Sequence, residues 1–325
     1  MAPYLTALLS FVVCLCASCQ RAASPEEMSE VTEEQAIEAI RGLGGRFLTS
    51  DRTPFVLVDL RNTGTTDAGL KTLKGVNRLG SLELSCTQIT DAGLKELKSL
   101  KDLQDLSLDS TGVTDAGLKE LKGLTGLRSL DLSDTKVTDA GLIELMELKE
   151  LRNLNLAGTK ISGAGMKEIK GMKGLLFLYL ANTRFADGNM KYLSELKDLH
   201  ALDLSGTEIT DVGLEDLKEL KGLRALCLNR TKVTDAGLTS LKELKGLQVL
   251  QLGHTSISDA GLKHLKVLAG LEGLDLNGTQ ITDAGVNDLA EMKGLSSITL
   301  WGTKVTEAGL KNLRQALPKA QVYMP

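Results

Sequence analysis

A 24-residue period runs through most of this sequence and limits the folds open to it more than any other feature. The string Thr-Asp-Ala-Gly-Leu begins at Thr66 and returns, intact or in a recognisable variant, every 24 residues up to Thr306, eleven times in all. No insertion or deletion interrupts this register. A strict repeat of this length is the signature of a solenoid, in which each unit stacks on the one before it. We therefore expect one elongated array rather than a single globular core.

Each unit contains a strand pattern followed by a helix pattern. In the second unit, Leu82 and Leu84 alternate with polar residues, as in a half-buried strand. Leu94, Leu97 and Leu100 follow at a spacing of three with lysines beside them, which predicts one apolar stripe on a short, lysine-coated helix. Neither element can bury its apolar face alone, so stacking must supply the core. Aromatic residues are only 3% of the sequence, which fits small leucine-packed layers.

Two polar features recur in every unit or nearly so. An unbroken column of threonines, one per unit from Thr63 to Thr303, lies where the chain leaves the strand. A hydroxyl both donates and accepts hydrogen bonds, so we expect these threonines to satisfy backbone groups there. The Thr-Asp pair that follows, as in Thr90 and Asp91, suits a helix N-terminus with free N–H groups. The next glycine would allow a close backbone approach.

The full pattern, Leu-x-x-Leu-x-Leu-x-x-Thr-x-Ile/Val-Thr-Asp-Ala-Gly-Leu, resembles the leucine-rich repeat, with threonine at the usual asparagine or cysteine position. It is most similar to the cysteine-containing subtype of F-box adaptor proteins and to arrays in secreted or lipid-anchored bacterial proteins, notably those of planctomycetes. The resemblance implies an α/β solenoid of about 11–12 repeats. In this horseshoe a parallel β-sheet lines the concave face and short helices cover the convex face. It also implies a non-catalytic scaffold that binds a protein, a peptide or an envelope polymer.

The N-terminal residues have the composition of a secretion signal. Ala7 to Ala17 is an apolar run shorter than the about 20 residues that span a membrane. The sequence from Cys16 to Cys19 resembles a bacterial lipoprotein lipobox, and in that family the final cysteine is lipidated and becomes the new N-terminus. We expect an exported protein, periplasmic or on the outer surface and lipid-anchored at Cys19. The alternative is an ordinary cleaved signal in which Cys19 has no special role.

Composition divides the chain into four segments. Residues 1–18 are predicted to be a signal peptide, 19–32 a flexible acidic tether, 33–54 an N-terminal helical cap, and 55–325 the leucine-rich-repeat domain. The cap contains an amphipathic helix from Glu33 to Leu43 and would cover the exposed core of the first repeat. We expect no additional domain after the repeats.

Candidate contact residues follow from the family's geometry, in which residues between and just after the strand leucines point out of the concave sheet. Phe177 and Tyr179 stand side by side in the middle of the arc, as binding anchors do. Acidic residues cluster in repeats two to four, and they either attract a basic partner or simply keep the face solvated. The predicted partner-binding set is Phe177, Tyr179, Glu83, Asp105, Asp109, Asp131, Asp134, Asp203, Arg230, His254 and Trp301.

The sequence also bears on other classes of function. A net charge of -4 argues against binding to nucleic acid. Three histidines are too few to suggest a metal cluster, so we expect no metal and no cofactor. We also expect a monomer. An intracellular F-box-like substrate adaptor in ubiquitin-type protein turnover is an alternative, although residues 20–54 are too few for an F-box. The remote alternative is an enzyme that uses Cys227 and His254, which lie about one repeat apart on the same face with Arg230.

Overall fold

A computed structural model describes residues 32–50 and 53–324 of the chain. The predicted signal, Cys19 and nearly all of the tether lie outside the described residues. The described part contains one 13-stranded sheet in which the order of the strands follows the order of the chain. No helix in that part is both long and apolar enough to span a bilayer. The architecture is therefore a solenoid whose every turn adds one strand to a single sheet.

The strands are short because each repeat places only one buried leucine between two face residues. From β2 to β13 all neighbours are parallel, and from β3 onward they pair residues 24 positions apart, as Leu82 pairs with Leu106. The strands are β1 Arg46–Ser50, β2 Thr53–Asp59, β3 Leu79–Glu83, β4 Asp105–Ser107, β5 Ser129–Asp131, β6 Asn153–Asn155, β7 Phe177–Tyr179, β8 Ala201–Asp203, β9 Ala225–Cys227, β10 Val249–Gln251, β11 Gly273–Asp275, β12 Ser297–Thr299 and β13 Gln321–Tyr323.

The helical half of each repeat is largely 3-10 helix in the first part of the array. The spacing of three between Leu94, Leu97 and Leu100 is compatible with the three residues per turn of that helix. The α-helices are α1 Glu33–Gly42, α2 Asp91–Leu94, α3 Asp115–Leu118, α4 Met166–Ile169, α5 Met190–Leu193, α6 Asp211–Leu214, α7 Asp259–Leu265, α8 Asp283–Glu291 and α9 Glu307–Ala316. The 3-10 segments are Asp67–Gly75, Lys95–Ser99, Lys119–Leu121, Asp139–Glu147, Asp187–Asn189, Glu215–Glu219 and Gly237–Glu243.

The repeated leucines form one continuous core along the array. Strand residues such as Leu82 and helical residues such as Leu97 have no exposed surface. Burying one leucine side chain stabilises a fold by about 1.5–3 kcal/mol, so this column supplies the main driving force. The threonine column lies beside it, and Thr87 Oγ1 donates to the carbonyl of Leu84 at 2.6 Å. The same bond forms in every unit from Thr63 to Thr303, which confirms the predicted role.

The first repeat is covered by a helix and a strand. Thr32 and Gln35 form a capping box at the start of α1, and Ala36 and Ile40 on this helix are fully buried. β1 pairs antiparallel with β2, against the parallel direction of the rest of the sheet. The boundary between cap and array drawn from the sequence, after residue 54, falls inside β2.

A ladder of aspartate and threonine joins consecutive repeats. The carboxylate of Asp91 accepts from Thr114 N at 2.8 Å and from Thr114 Oγ1 at 2.7 Å, in the following repeat. Thr114 also caps its own helix by accepting from Ala116 N at 3.2 Å. A Cβ at Gly117 would lie 2.4 Å from Asp91 Oδ1, so only glycine leaves room for the carboxylate. The predicted capping is confirmed for threonine, whereas aspartate reaches across to its neighbour.

One junction reverses this arrangement. Gly163 stands where the ladder has aspartate, Ala186 where it has threonine, and Asn189 where it has glycine. The Asn189 side chain fills the space from the opposite side, and its Nδ2 donates to the Ser162 carbonyl at 3.2 Å. A Cβ at Gly163 would lie 2.5 Å from Asn189 Cγ. The sequences of these two units therefore contain a matched exchange of small and large side chains.

Candidate partner-binding face

The strand register arranges the outward side chains of the sheet as a grid. In the central column, Tyr179 lies between Asn155 and Asp203 on the adjacent strands. In a second column, two residues earlier on each strand, Phe177 pairs with Ala201. Neighbouring strands are about 4.7–4.9 Å apart, so each step along a column is one such interval. The central column continues in register from Asp59 to Tyr323.

An apolar patch occupies the middle of this grid. Phe177 on β7 is 38% exposed and Val249 on β10 is 37% exposed, both in the second column. Ala201 and Ala225 lie between them on β8 and β9, so two small side chains separate two large ones. Tyr179 is half-buried beside Phe177. Ala201, Ala225 and Val249 were missed from the sequence, although their alternate positions on the strands carried the signal.

Two of the predicted acidic residues lie on the sheet near its N-terminal end. Glu83 is on β3 and Asp105 is on the adjacent β4. Partial burial raises the pKa of Glu83, the positive charge of Arg61 opposes this, and neighbouring carboxylates raise the pKa further. Burial also raises the pKa of Asp105, and the charge of Arg128 partly offsets it. The ionised form of both carboxylates is therefore less stable in the free protein than in water.

A row of aspartates in the central column is tied to the backbone at each strand end. Asp131 Oδ1 accepts from Ser133 N at 2.8 Å, and Asp203 Oδ1 accepts from Ser205 N at 2.8 Å. The same bond joins Asp275 Oδ1 to Asn277 N at 2.9 Å. These bonds give the row a structural role. They also hold its negative charge on the face.

The first member of this row differs in having cationic partners. Asp59 forms ion pairs with Arg46 and Arg61, and Arg61 lies 4.0 Å from Glu83. Hydrogen bonds from Arg61, with help from Arg46 and against the effect of burial, hold the pKa of Asp59 well below its usual range. An aspartate at this column position therefore accommodates guanidinium groups.

Five predicted residues lie beyond the strand ends rather than on the sheet. Asp134, Arg230 and His254 adopt left-handed backbone conformations, with φ of 52°, 56° and 57°. Asp109 accepts from Ser110 Oγ at 3.0 Å and Ser133 Oγ at 3.2 Å, and Trp301 is 50% exposed after β12. The predicted set thus divides into a group on the sheet face (Glu83, Asp105, Asp131, Phe177, Tyr179 and Asp203) and a group in the turns (Asp109, Asp134, Arg230, His254 and Trp301).

The environment of Cys227 is opposite to that of an activated thiol. Cys227 is half-buried on β9, and burial, reinforced by the charges of Asp203 and Asp275, raises the pKa of the thiol to about 12. Catalytic cysteines have lowered pKa values because the thiolate is the nucleophile. His254 lies in the turn after β10. The part of the chain that the structure describes also contains no grouping of three or more His, Cys, Asp or Glu that would hold a metal ion.

Comparison with known proteins assigns this architecture. A family model described as "Leucine Rich repeat" matches residues 79–98, 124–146 and 196–218. The chain folds as a leucine-rich-repeat solenoid. Its resemblance to that repeat, first seen in the sequence, is confirmed at the level of the repeat and the horseshoe fold. No curated protein matches the sequence.

Solved leucine-rich-repeat structures resemble this solenoid over most of its length. An internalin from Listeria monocytogenes has a TM-score of 0.59 and 23% identity, covering 78% of this chain and 75% of its own. An internalin C2 from the same organism has a TM-score of 0.51 and 28% identity, covering 66% and 84%. A leucine-rich-repeat protein from Leptospira interrogans has a TM-score of 0.55 and 22% identity, covering 78% and 74%.

Proposed function

We propose that this leucine-rich-repeat chain is a non-catalytic scaffold that recognises a protein or peptide on the concave face of its sheet. The observation that carries the proposal is the aromatic pair at the centre of that face, an exposed Phe177 beside a half-buried Tyr179. A phenylalanine exposed on a sheet contributes little to folding, whereas central aromatic side chains dominate binding energy at protein interfaces. The raised pKa of the Cys227 thiol supports binding over nucleophilic catalysis.

The size of the face supports the same proposal. Twelve parallel strands, β2 to β13, at about 4.7–4.9 Å each give a surface about 50 Å long. A standard protein interface buries about 800 Å² on each partner, which a fraction of this surface accommodates. The face has the two components of such interfaces, an apolar centre at Phe177 and Val249 and polar surroundings at Asp131 and Asp203.

Selection from a displayed library of random 12-residue peptides tests this proposal. The full chain is the bait, and the double variant Phe177→Ser/Tyr179→Ser is the comparison. Both serines are compatible with the fold because Ser129 and Ser107 occupy the same two columns in other repeats. We expect selected peptides to bind the wild type and to lose most of their affinity for the double variant. Equal binding to both would overturn the proposal, and enrichment of no peptide would favour a non-peptide envelope polymer.

We further propose that the protein is exported and anchored by lipid on Cys19. The apolar run from Ala7 to Ala17 and the lipobox-like residues that end at Cys19 support this proposal. Intact mass measurement of the mature protein from a bacterium with an export pathway tests it. A diacyl or triacyl adduct on Cys19 is the expected result, and a chain that still carries residues 1–18 would refute it.

A further inference from the structure

We propose that the occupant of the concave face is an extended polypeptide segment that crosses the strands, with cationic side chains four residues apart and an aliphatic side chain between two of them. This inference rests on the proposed function and adds the conformation, charge and spacing of the partner. Three features of the face lead to it: a periodic row of carboxylates, the rise of an extended chain, and an apolar recess at a fixed place in the row.

The carboxylate row has a period of three strands. Asp131, Asp203 and Asp275 lie in the central column on β5, β8 and β11. With about 4.7–4.9 Å between strands, successive members are about 14 Å apart. None of these three takes part in an ion pair among the described residues. The row therefore presents negative charge that the free protein does not neutralise.

The protein itself shows what this row binds. Asp59, three strands before Asp131 in the same column, is contacted by the guanidinium groups of Arg46 and Arg61. The position thus has room for an arginine side chain from β1 and for one from the strand end. At Asp203 and Asp275 one carboxylate oxygen accepts a backbone N–H, and the other has no hydrogen bond from any described residue. Cationic side chains from a partner complete the same arrangement there.

The spacing selects an extended partner. A strand rises about 3.3–3.4 Å per residue, so residues i and i+4 are about 13 Å apart and point to the same side. A concave face draws the tips of its side chains together, which brings the 14 Å interval of the row close to this value. An α-helix covers the same distance in about nine residues, and that places the two side chains on opposite faces of the helix. A helical partner therefore meets at most one carboxylate of each neighbouring pair.

The apolar recess fixes where an aliphatic side chain belongs. Between Asp203 and Asp275, strands β9 and β10 present Ala225 and Val249 in the second column. Ala201 and Ala225 are small and half-buried, whereas Phe177 and Val249 rise on either side with more than a third of their surface exposed. A partner residue two positions from the middle cation lies halfway between the two aspartates at the level of β9 and β10, and its side chain reaches Ala225 and Val249 when it leans from the central column towards the second column. Its burial removes apolar surface on both molecules from water.

Defined peptides test the spacing directly. The probe is a fluorescein-labelled nine-residue peptide with Lys at positions 1, 5 and 9, Leu at position 7 and Ser or Thr elsewhere. A second probe has Leu at position 3, since the row does not fix the direction of the chain. The comparison peptides have the same composition with Lys at positions 1, 4 and 7. By fluorescence anisotropy with the full chain, we expect the better four-spaced probe to bind about tenfold more tightly than the three-spaced ones.

Variants of the protein separate the charge from the recess. Asp203→Asn should weaken binding of the four-spaced probe by about three- to fivefold, and Glu215→Gln, at an exposed carboxylate on the helical side of the same repeat, should leave it unchanged. Ala225→Phe should abolish the advantage of Leu over Ser in the probe. The variant is compatible with the fold, since Phe177 occupies the same register position two strands earlier.

The outcomes distinguish this inference from the proposed function. Equal binding of four-spaced and three-spaced peptides, binding of neither, or unchanged affinity in Asp203→Asn would overturn the inference. If the displayed library yields peptides that depend on Phe177 but lack this spacing, the face is a binding site for another segment. If no selected peptide depends on Phe177, the proposed function itself falls.

Discussion

Replacing Asp115 with alanine should destabilise the solenoid by about 2–3 kcal/mol, because it removes one rung of the ladder between repeats. Asp115 Oδ1 accepts from Thr138 N at 2.8 Å, and Oδ2 accepts from Thr138 Oγ1 at 2.6 Å. A hydrogen bond to a charged group contributes about 1.5–3 kcal/mol. Asp115 and Thr138 are only partly buried, so we assign the lower value, about 1.5 kcal/mol, to the two bonds together. The Thr138 N–H also loses its partner at a half-buried position, which adds to the cost.

Urea unfolding followed by circular dichroism measures this change, with Asp102→Ala as the matched control. Asp102 is exposed and forms no side-chain hydrogen bond among the described residues. Repeat arrays can unfold in parts, so a second probe is needed to establish that the whole array unfolds in one transition. Trp301 is the only tryptophan in the sequence, and its fluorescence provides that probe near the last repeats.

A double-mutant cycle with Thr138→Ala isolates the hydroxyl bond. We expect a coupling energy of about 1 kcal/mol between the two substitutions, because they remove the same contact. If Asp115→Ala lies within about 0.5 kcal/mol of the Asp102→Ala control, the ladder does not stabilise the array and the reasoning is refuted.

The remaining predictions concern the reversed junction, the ion pairs of Asp59 and the half-buried thiol of Cys227. Gly163→Asp should destabilise the protein by about 1–3 kcal/mol because its φ is 94° and Asn189 fills the adjacent space, and adding Asn189→Gly should recover part of the loss in urea unfolding; equal stability of the single and double variants would contradict the exchange. Since its arginine partners lower the pKa of Asp59, this group stabilises the fold above its unfolded pKa of about 4, and the contribution is lost as pH falls towards the folded value. Unfolding free energies between about pH 5 and 2 should therefore fall less steeply in Asp59→Asn than in the wild type, and parallel curves would show that the ion pairs contribute nothing. With a thiol pKa of about 12, Cys227 should react with iodoacetamide at least tenfold more slowly than the exposed Cys86 at pH 8, measured by peptide mass spectrometry, and a faster Cys227 would revive the nucleophile hypothesis.

The fold could be predicted almost completely because one local rule repeats without interruption. A period of 24 residues fixes the stacking, and the alternation of Leu82 and Leu84 fixes which side of each strand is buried. The central column from Asp59 to Tyr323 follows from the same alternation. What the period could not give is the choice between α-helix and 3-10 helix, since both bury leucines spaced three apart.

Interactions between repeats were harder to predict than those within a repeat. Asp91 looks like a cap for its own helix in the sequence, yet it bonds the next repeat, because stacking places its carboxylate beside Thr114. The left-handed turns at Arg230 and His254 take these residues off the sheet. The signal for this conformation lies in the other repeats, where the same position is often glycine or asparagine, as at Asn182 and Gly206, and not in the two residues themselves. The apolar recess was missed for a different reason. The alternation along the strands gave the positions of its alanines, but a small side chain forms a recess only because Phe177 and Val249 lie on either side of it.

The central claim, that a protein partner binds the concave face, is tested most directly by site-specific photocrosslinking in cells that make this protein. A photoreactive phenylalanine analogue replaces Phe177 in one variant and Val212, which is 67% exposed on the helical side, in the other. We predict that the analogue at position 177 forms one discrete polypeptide adduct, identified by mass spectrometry, and that position 212 forms none. The same adduct from both positions, or an adduct from position 212 alone, would contradict the account.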